Sequence, residues 1–270
     1  MSMTLLDIGG SYIKCADGRK IPVPSMGTKE EIAAALRKAC EMPHHVGHDD
    51  AYNGRFIGIA IPGPFNYKEG IFLMKHKYAA VYGERLSNLA LIPEGTVVKY
   101  MHDVNAPLAG AVKMMGLRNA AIVTLGTGLG FSYAIDGVVN ENETGSPAMS
   151  LWNMPWKDGI LEDVASAGGI SSAYTRLSGT PCKSAYEVAK KACDGDHHAI
   201  EAYSNLGETL GEVLRPILDK MDIHTLLMGG QISKSLNLMI RPLQNALEGV
   251  AIIQAPENAV FEGLATQFKN

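Results

Sequence analysis

MTLLDIGGSYIK at residues 3–14 sets the fold, because its plan returns at AAIVTLGTGLGFSYAI, residues 120–135. In both stretches a short apolar run leads into a glycine turn and an alternating run follows. Apolar runs bounded by turn residues read as buried strands, and Asp17-Gly18, closing residues 11–16, is a hairpin-type signal. Between the two stretches the pattern predicts a helix over 29–41, with Thr28 as N-cap and Glu31 completing a capping box. It also predicts a buried strand FIGIAI (56–61) ended by Pro62-Gly63-Pro64, and a strand over 97–100 that lands on Met101-His102-Asp103. Residues 105–115 then have helical spacing, with Met114-Met115 read as core.

After the second glycine turn, an alternating strand over 131–135 ends at Asp136-Gly137. Residues 138–159 show no clean period and read as a long loop or irregular hairpin. Helical patterns fill 161–220, broken near Gly179-Thr180-Pro181. A buried strand (225–228), Gly229-Gly230, a helix from about 233 to 246 and a final helix (259–268) complete the order. The partial repeat implies two related α/β lobes facing each other across a cleft.

Composition narrows the function classes. The chain has 270 residues, 46% hydrophobic and 19% charged, with a formal net charge of −4. Nucleic-acid binding normally draws on clustered Lys and Arg to neutralise phosphates; the densest cationic patches, at 75–77 and 190–191, are short, so no nucleic-acid partner is expected. Cys15, Cys40, Cys182 and Cys193 are too dispersed for a zinc motif and read as reduced thiols. No run is long and apolar enough to span a membrane, and the N-terminus lacks the pattern of a secretory signal, so a cytoplasmic protein is expected.

Phosphate sites need backbone N–H groups that can be approached closely, which glycine permits. Asp7-Ile8-Gly9-Gly10-Ser11, with Lys14 after it, and Gly126-Thr127-Gly128-Leu129-Gly130 are two such turns, each directly after a strand. Either alone reads equally well as an ordinary hairpin; together they suggest a grip on one polyphosphate. Neither turn opens a helix after a parallel strand, which disfavours a Rossmann site, and no GxxxxGK[ST] is present. Asp103 sits at a strand end just before a helix, where a carboxylate can cap the helix or serve as a general base. Phosphoryl transfer to an alcohol needs one carboxylate at the attacking hydroxyl, so the two turns favour the base.

DIGGSYIK, GIAIPGPFN, HDVNAPLAGA, TLGTGLGFSYAIDG and LLMGGQIS, in that order, resemble the successive motifs of the ROK family of sugar kinases. The resemblance implies an actin/hexokinase-type (ribonuclease H-like) fold, with a small N-terminal domain over 1–107, completed by a helix at 258–270, and a larger domain over 108–257. It implies ATP-dependent phosphorylation of a hexose hydroxyl, ATP and Mg²⁺ as cofactors, a small-molecule sugar substrate and a homodimer. Asp103 would be the catalytic base. Asp7, Gly9, Gly10, Ser11 and Lys14 would form the first phosphate motif, with Asp7 holding Mg²⁺ through water. Gly126, Thr127 and Gly128 would form the second, and Gly229 and Gly230 would approach the adenosine. Gly63, Asn66 and Glu162 would face the sugar.

The sequence departs from the family on the sugar side. The usual ExGH segment is missing; its local match, residues 150–153, puts Ser150 and Asn153 where Glu and His are expected, and the match can slip to 143–146. The cysteine cluster of zinc-bearing members is absent from WKDGILED, so no structural zinc is expected. His102 stands where Asn is common; its ring could still hydrogen-bond a sugar hydroxyl. Trp152 and Trp156 could stack on a sugar or pack a loop. Two alternatives stay open: a sugar- or nucleotide-binding sensor with weak turnover, and a kinase that uses polyphosphate or a non-sugar alcohol. His44, His45 and His48 with Asp49-Asp50, and His197-His198, read as solvated polar segments.

Overall fold

The computed structural model describes residues 3–41 and 55–268. His44, His45, His48, Asp49 and Asp50 lie outside the described residues. The chain forms two compact units, one of Met1–Met115, Glu141–Ala148 and Glu257–Asn270, the other of Gly116–Asn140 and Met149–Pro256.

The strands of the first unit are β1 (Met3–Ile8), β2 (Tyr12–Cys15), β3 (Lys20–Pro22), β4 (Phe56–Ile61), the short β5 (Phe65–Asn66) and β6 (Ile71–Phe72), and β7 (Val97–His102). Five of them make one sheet in the order β3-β2-β1-β4-β7. β1 pairs antiparallel with β2 and parallel with β4, and β4 pairs parallel with β7. Leu6, Ile8, Ile13, Ile59 and Ile61 are fully buried; each such side chain contributes about 1.5–3 kcal/mol by leaving water. Its helices are α1 (Lys29–Cys40), the single turn α2 (Leu86–Leu89) and α3 (Asn105–Met115), with a C-terminal helix described below. Thr28 and Glu31 close the expected capping box on α1: the Glu31 N–H donates to Thr28 Oγ1, and the Thr28 N–H to Glu31 Oε2.

The second unit repeats the plan. Its strands are β8 (Ala120–Leu125), β9 (Leu129–Ile135), β10 (Val138–Val139), the paired β11 (Pro155–Trp156) and β12 (Gly159–Ile160), β13 (Thr225–Gly229) and β14 (Ala251–Gln254). The sheet order is β10-β9-β8-β13-β14, with β8–β9 antiparallel and β8–β13–β14 parallel. β1 and β8 are therefore equivalent central strands, and the two glycine turns occupy equivalent places after them. The helices α4 (Ala167–Ser178), α5 (Ala185–Cys193), α6 (His197–Lys220) and α7 (Leu236–Ala246) pack on this sheet around one apolar core.

The last helix, α8 (Ala259–Thr266), belongs to the first unit and lies against α3. Two glycines set the approach: a Cβ on Gly110 would lie 1.8 Å from the Ala259 carbonyl oxygen, and one on Gly263 would lie 1.9 Å from that of Ala106. Backbones come this close only where both helices lack a side chain. α3 stays whole in this unit, which ends its first segment at Met115, whereas the resemblance implied a boundary after 107.

Two expectations need correction. Met114 and Met115, read as core, are 47% and 43% exposed. The buried face of α3 ends at Val112, and the helix stops before Gly116 at φ +64, so its last turn reaches solvent. The helical region 161–220 opens with a 3₁₀ segment and α-helix starts only at Ala167; it then breaks after Ser178 at Gly179, as expected, and again at 194–196, where Asp196 caps α6. Among the described residues no helix is long and apolar enough to cross a membrane.

Candidate active site

In the first unit the parallel strands β1, β4 and β7 end together, and the residues expected to act lie at those ends. This is where ligands commonly bind in α/β sheets. Asp7 is the penultimate residue of β1, and its register partner on β2 is Lys14. Lys14 Nζ donates to Asp7 Oδ2 at 3.0 Å. Burial pushes the Asp7 carboxyl above the usual carboxylate range; Lys14 offsets part of this, and the negative charge of Asp103 adds to it.

The Gly9–Ser11 turn is fastened by its carbonyls. Tyr78, fully buried, donates its hydroxyl to the Gly9 oxygen at 2.5 Å, and Ser25 Oγ donates to the Gly10 oxygen at 2.5 Å. The Gly9 N–H is used inside the hairpin, on the Tyr12 oxygen. Among the described residues nothing takes a hydrogen bond from the N–H groups of Gly10 and Ser11. That pair of donors is what an anionic ligand requires.

Asp103 follows β7 directly. His102 Nδ1 lies 2.9 Å from Asp103 Oδ1, and the Val104 N–H also points at His102 Nδ1, at 3.2 Å. Burial alone would raise the Asp103 carboxyl, but His102, the Lys77 charge and the Val104 N–H outweigh it and hold Asp103 below its ordinary value. Its side chain is still 41% exposed, against 18% for His102. Gly63, at the cis Gly63–Pro64 bond, faces His102: a Cβ there would meet His102 Nε2 at 3.3 Å. Tyr67 packs on the same imidazole, with ring centroids 5.6 Å apart, and donates its hydroxyl to the Ile61 oxygen. Asn66 bonds locally, its Oδ1 accepting from the N–H groups of Lys68 and Glu69.

In the second unit the turn after β8 and the Gly229-Gly230 pair after β13 lie side by side, since Gly229 is in register with Thr124. Gly230 has φ +82, and a Cβ on it would lie 2.2 Å from the Leu125 oxygen, so close packing by itself demands glycine here. Thr127 is exposed at the tip of the turn. Glu162 reaches the turn from a short 3₁₀ segment (Leu161–Asp163), where its Oε2 accepts the Leu129 N–H at 2.7 Å. Ser150 and Asn153 are exposed in a segment joined to this one by the Glu162 N–H on the Trp152 oxygen, and neither side chain is hydrogen-bonded among the described residues. Residues 143–146, the alternative match, lie in the first unit, where the Tyr67 N–H bonds the Thr144 oxygen. Trp156 packs on the core of the second unit; Trp152 is 46% exposed.

Two residues of the first-unit site were not singled out from the sequence. Lys77 lies beside Gly10 and acts electrostatically on Asp103. Glu141 accepts from Asn105 Nδ2 at 3.0 Å, which ties the start of α3 to the segment Glu141–Ala148. The available signal for Lys77 was its place in the short cationic patch; for Glu141 there was none.

Similarity to known proteins agrees with this geometry. No family model matches the chain. A curated glucokinase of Halalkalibacterium halodurans is 24% identical over 303 residues, covering 95% of this chain and 88% of that protein. The structure of a ROK family glucokinase from Streptomyces griseus, in complex with glucose and AMPPNP, matches with a TM-score of 0.77 and 21% identity over 98% of both chains. A ROK hexokinase from Thermus thermophilus matches with a TM-score of 0.73 and 20% identity, over 98% of this chain and 97% of that one. The architecture is thus the two-lobed α/β type of actin and the hexokinases. Within that class, the chain has the fold of the ROK sugar kinases, as the ordered motifs led us to expect.

Proposed function

We propose that the chain is an ATP-dependent, glucokinase-like sugar kinase of the ROK family, with Asp103 as general base. The observation that carries this reading is the state of Asp103. It is a partly open carboxylate at the end of β7, held ionised by His102, Lys77 and the Val104 N–H, in the same unit as a glycine turn with two open N–H donors.

In the proposed reaction the sugar hydroxyl oxygen bonds the γ-phosphorus of ATP. Its proton passes to the Asp103 carboxylate, and the bond to the bridging oxygen of ADP breaks. Such transfer depends mainly on positioning and charge stabilisation, with a base that is ionised in advance. The Gly10 and Ser11 N–H groups and the turn 126–128 would bind donor phosphates, with Gly229 and Gly230 toward the adenosine. His102, beside Gly63, would offer Nε2 to a sugar hydroxyl, and Glu162, Ser150, Asn153 and Asn66 would supply further polar contacts.

Asp7 fits a role with Mg²⁺: a carboxylate pushed up by burial and by a second carboxylate gains from a nearby cation. Mg²⁺ commonly binds through one or two carboxylates, waters and substrate phosphates. Asp7 would hold the ion through water, and the ion would supply charge neutralisation at the phosphates. Among the described residues no three His, Cys, Asp or Glu gather into a metal cage.

A panel of sugars assayed with ATP and with polyphosphate tests the proposal. Turnover on at least one sugar that disappears in a folded Asp103→Asn variant is expected; near-normal turnover of that variant would rule out the base. A sugar or nucleotide sensor is the second reading, favoured by the exposed, unbonded Ser150 and Asn153 and by Glu162 spending one oxygen on Leu129. Nucleotide binding without turnover on any sugar would select it.

A further inference from the structure

We propose that Lys77, rather than Lys14, is the cation that grips the transferring terminal phosphoryl group at the first glycine turn, an assignment that rests on the kinase reading above. Three observations in the first unit lead to it.

Lys77 is delivered to the turn by its neighbour. Tyr78 is fully buried, has a left-handed backbone (φ 55, ψ 22), donates its N–H to the Ser25 oxygen and its hydroxyl to the Gly9 oxygen. Ser25 in turn holds the Gly10 oxygen. Residue 77 is thereby held beside the turn through Tyr78. Its side chain then runs along Gly10: the position of a Cβ on Gly10 lies 3.5 Å from Lys77 Cδ and Cε and 3.6 Å from Nζ.

The two lysines differ in what they already hold. Lys14 Nζ is ion-paired with Asp7, its partner across the β1–β2 ladder. Among the described residues no hydrogen bond or ion pair occupies Lys77 Nζ. The Gly9 and Gly10 carbonyls are tied off by Tyr78 and Ser25, which leaves the Gly10 and Ser11 N–H groups, the Ser11 hydroxyl and the Lys77 ammonium as the donors at this turn.

The third observation is the charge of Lys77 at Asp103, which helps keep that carboxylate ionised. One ammonium acting on both the turn and the base marks the place where a phosphoryl group would pass between them. A lysine there neutralises charge as a point cation with rotatable donors. Electrostatic donors of this kind are worth about 100- to 1,000-fold in kcat when they act on the transition state.

The test compares wild type, Lys77→Met and Lys77→Arg in steady-state kinetics, and in calorimetric titrations with the β,γ-imido analogue of ATP and with ADP. Lys77 is only partly buried, and thermal melts establish that each variant is folded. Lys77→Met is expected to lower kcat by about 100-fold or more, to weaken the triphosphate analogue several-fold and to leave ADP affinity unchanged; Lys77→Arg should restore part of the loss. Unchanged kcat, or equal losses of affinity for the analogue and ADP, would overturn the assignment. If wild type turns over no sugar and does not bind the analogue, the kinase reading fails and this assignment fails with it. A working wild type with an indifferent Lys77→Met removes only the role of Lys77.

Discussion

Glu162 and Gly128 share one small space: the Glu162 oxygen that accepts the Leu129 N–H stands 2.6 Å from where a side chain on Gly128 would begin. A side chain at 128 would therefore push the Glu162 carboxylate out of its place. Gly128→Ala should displace Glu162, free the Leu129 N–H and misplace the turn. Misplacement by about 1 Å can cost roughly 100-fold in rate, and a loss of that order in kcat/KM with a native circular dichroism spectrum is expected. A Gly128→Ala enzyme with wild-type kinetics would show that the contact is dispensable.

Asp103 predicts a chemical and a pH effect. Asp103→Asn should reduce kcat by about 100- to 10,000-fold, the range of general base catalysis. In the fold its carboxyl is held below the ordinary value of 3.8. A depressed acid contributes stability above its unfolded pKa and loses it as pH falls through the folded one. Wild type should therefore melt above Asp103→Asn at neutral pH, and the gap should close only below about pH 4. A gap that closes near pH 6 would mean that another group provides the difference.

Asp7 should behave in the opposite sense. Its folded value lies above 3.8, chiefly through burial. A raised acid contributes its full stability below the unfolded pKa and loses it as pH rises through the folded value, so ionised Asp7 opposes folding at pH 7. Asp7→Asn is expected to raise Tm at pH 7, to match wild type below about pH 4, and to lose most sugar phosphorylation. A lower Tm at neutral pH would show that the Lys14 pair outweighs the burial of the charge.

Gly110→Ala and Gly263→Ala place a methyl inside the facing backbone of α8 or α3. Overpacking typically costs about 1–3 kcal/mol, occasionally more, and overlaps below 2 Å belong at the upper end. Urea melts followed by circular dichroism should show a lower midpoint for either variant. Conversely, Gly18→Ala sits in open space at φ +89 and should lose about 1 kcal/mol or somewhat more, from backbone strain alone.

Much of this architecture could be read from the chain because its signals are local. β1, β8 and α3 have the bounds their apolar patterns predict, and the hairpin at Asp17-Gly18 and the capping box on α1 are written within a few residues. The glycine turns and Asp103 were also visible, since each follows a strand directly. What escaped depends on partners far along the chain. Lys77 reads as a surface cation until Tyr78 is seen to fasten on Gly9, and Glu141 reads as loop until Asn105 meets it. β14, with only four residues and half-exposed, lacks a period long enough to stand out beside α7. Asn66 and Glu162 were placed by resemblance as sugar contacts, but backbone N–H groups now occupy Asn66 Oδ1, from the adjacent Lys68 and Glu69, and one Glu162 oxygen, from Leu129 on a distant strand.

The seat of α8 against α3 has a consequence for how the protein is made. A ribosome makes the first unit's sheet early, yet the helix that covers β4 and α3 is synthesised only after the last segment of the second unit. Until then Ala60, Met101 and Ala106 lack their partner Leu264. Domains generally fold as units during synthesis, so the second unit can finish first, and the half that carries Asp103 is the last to be completed.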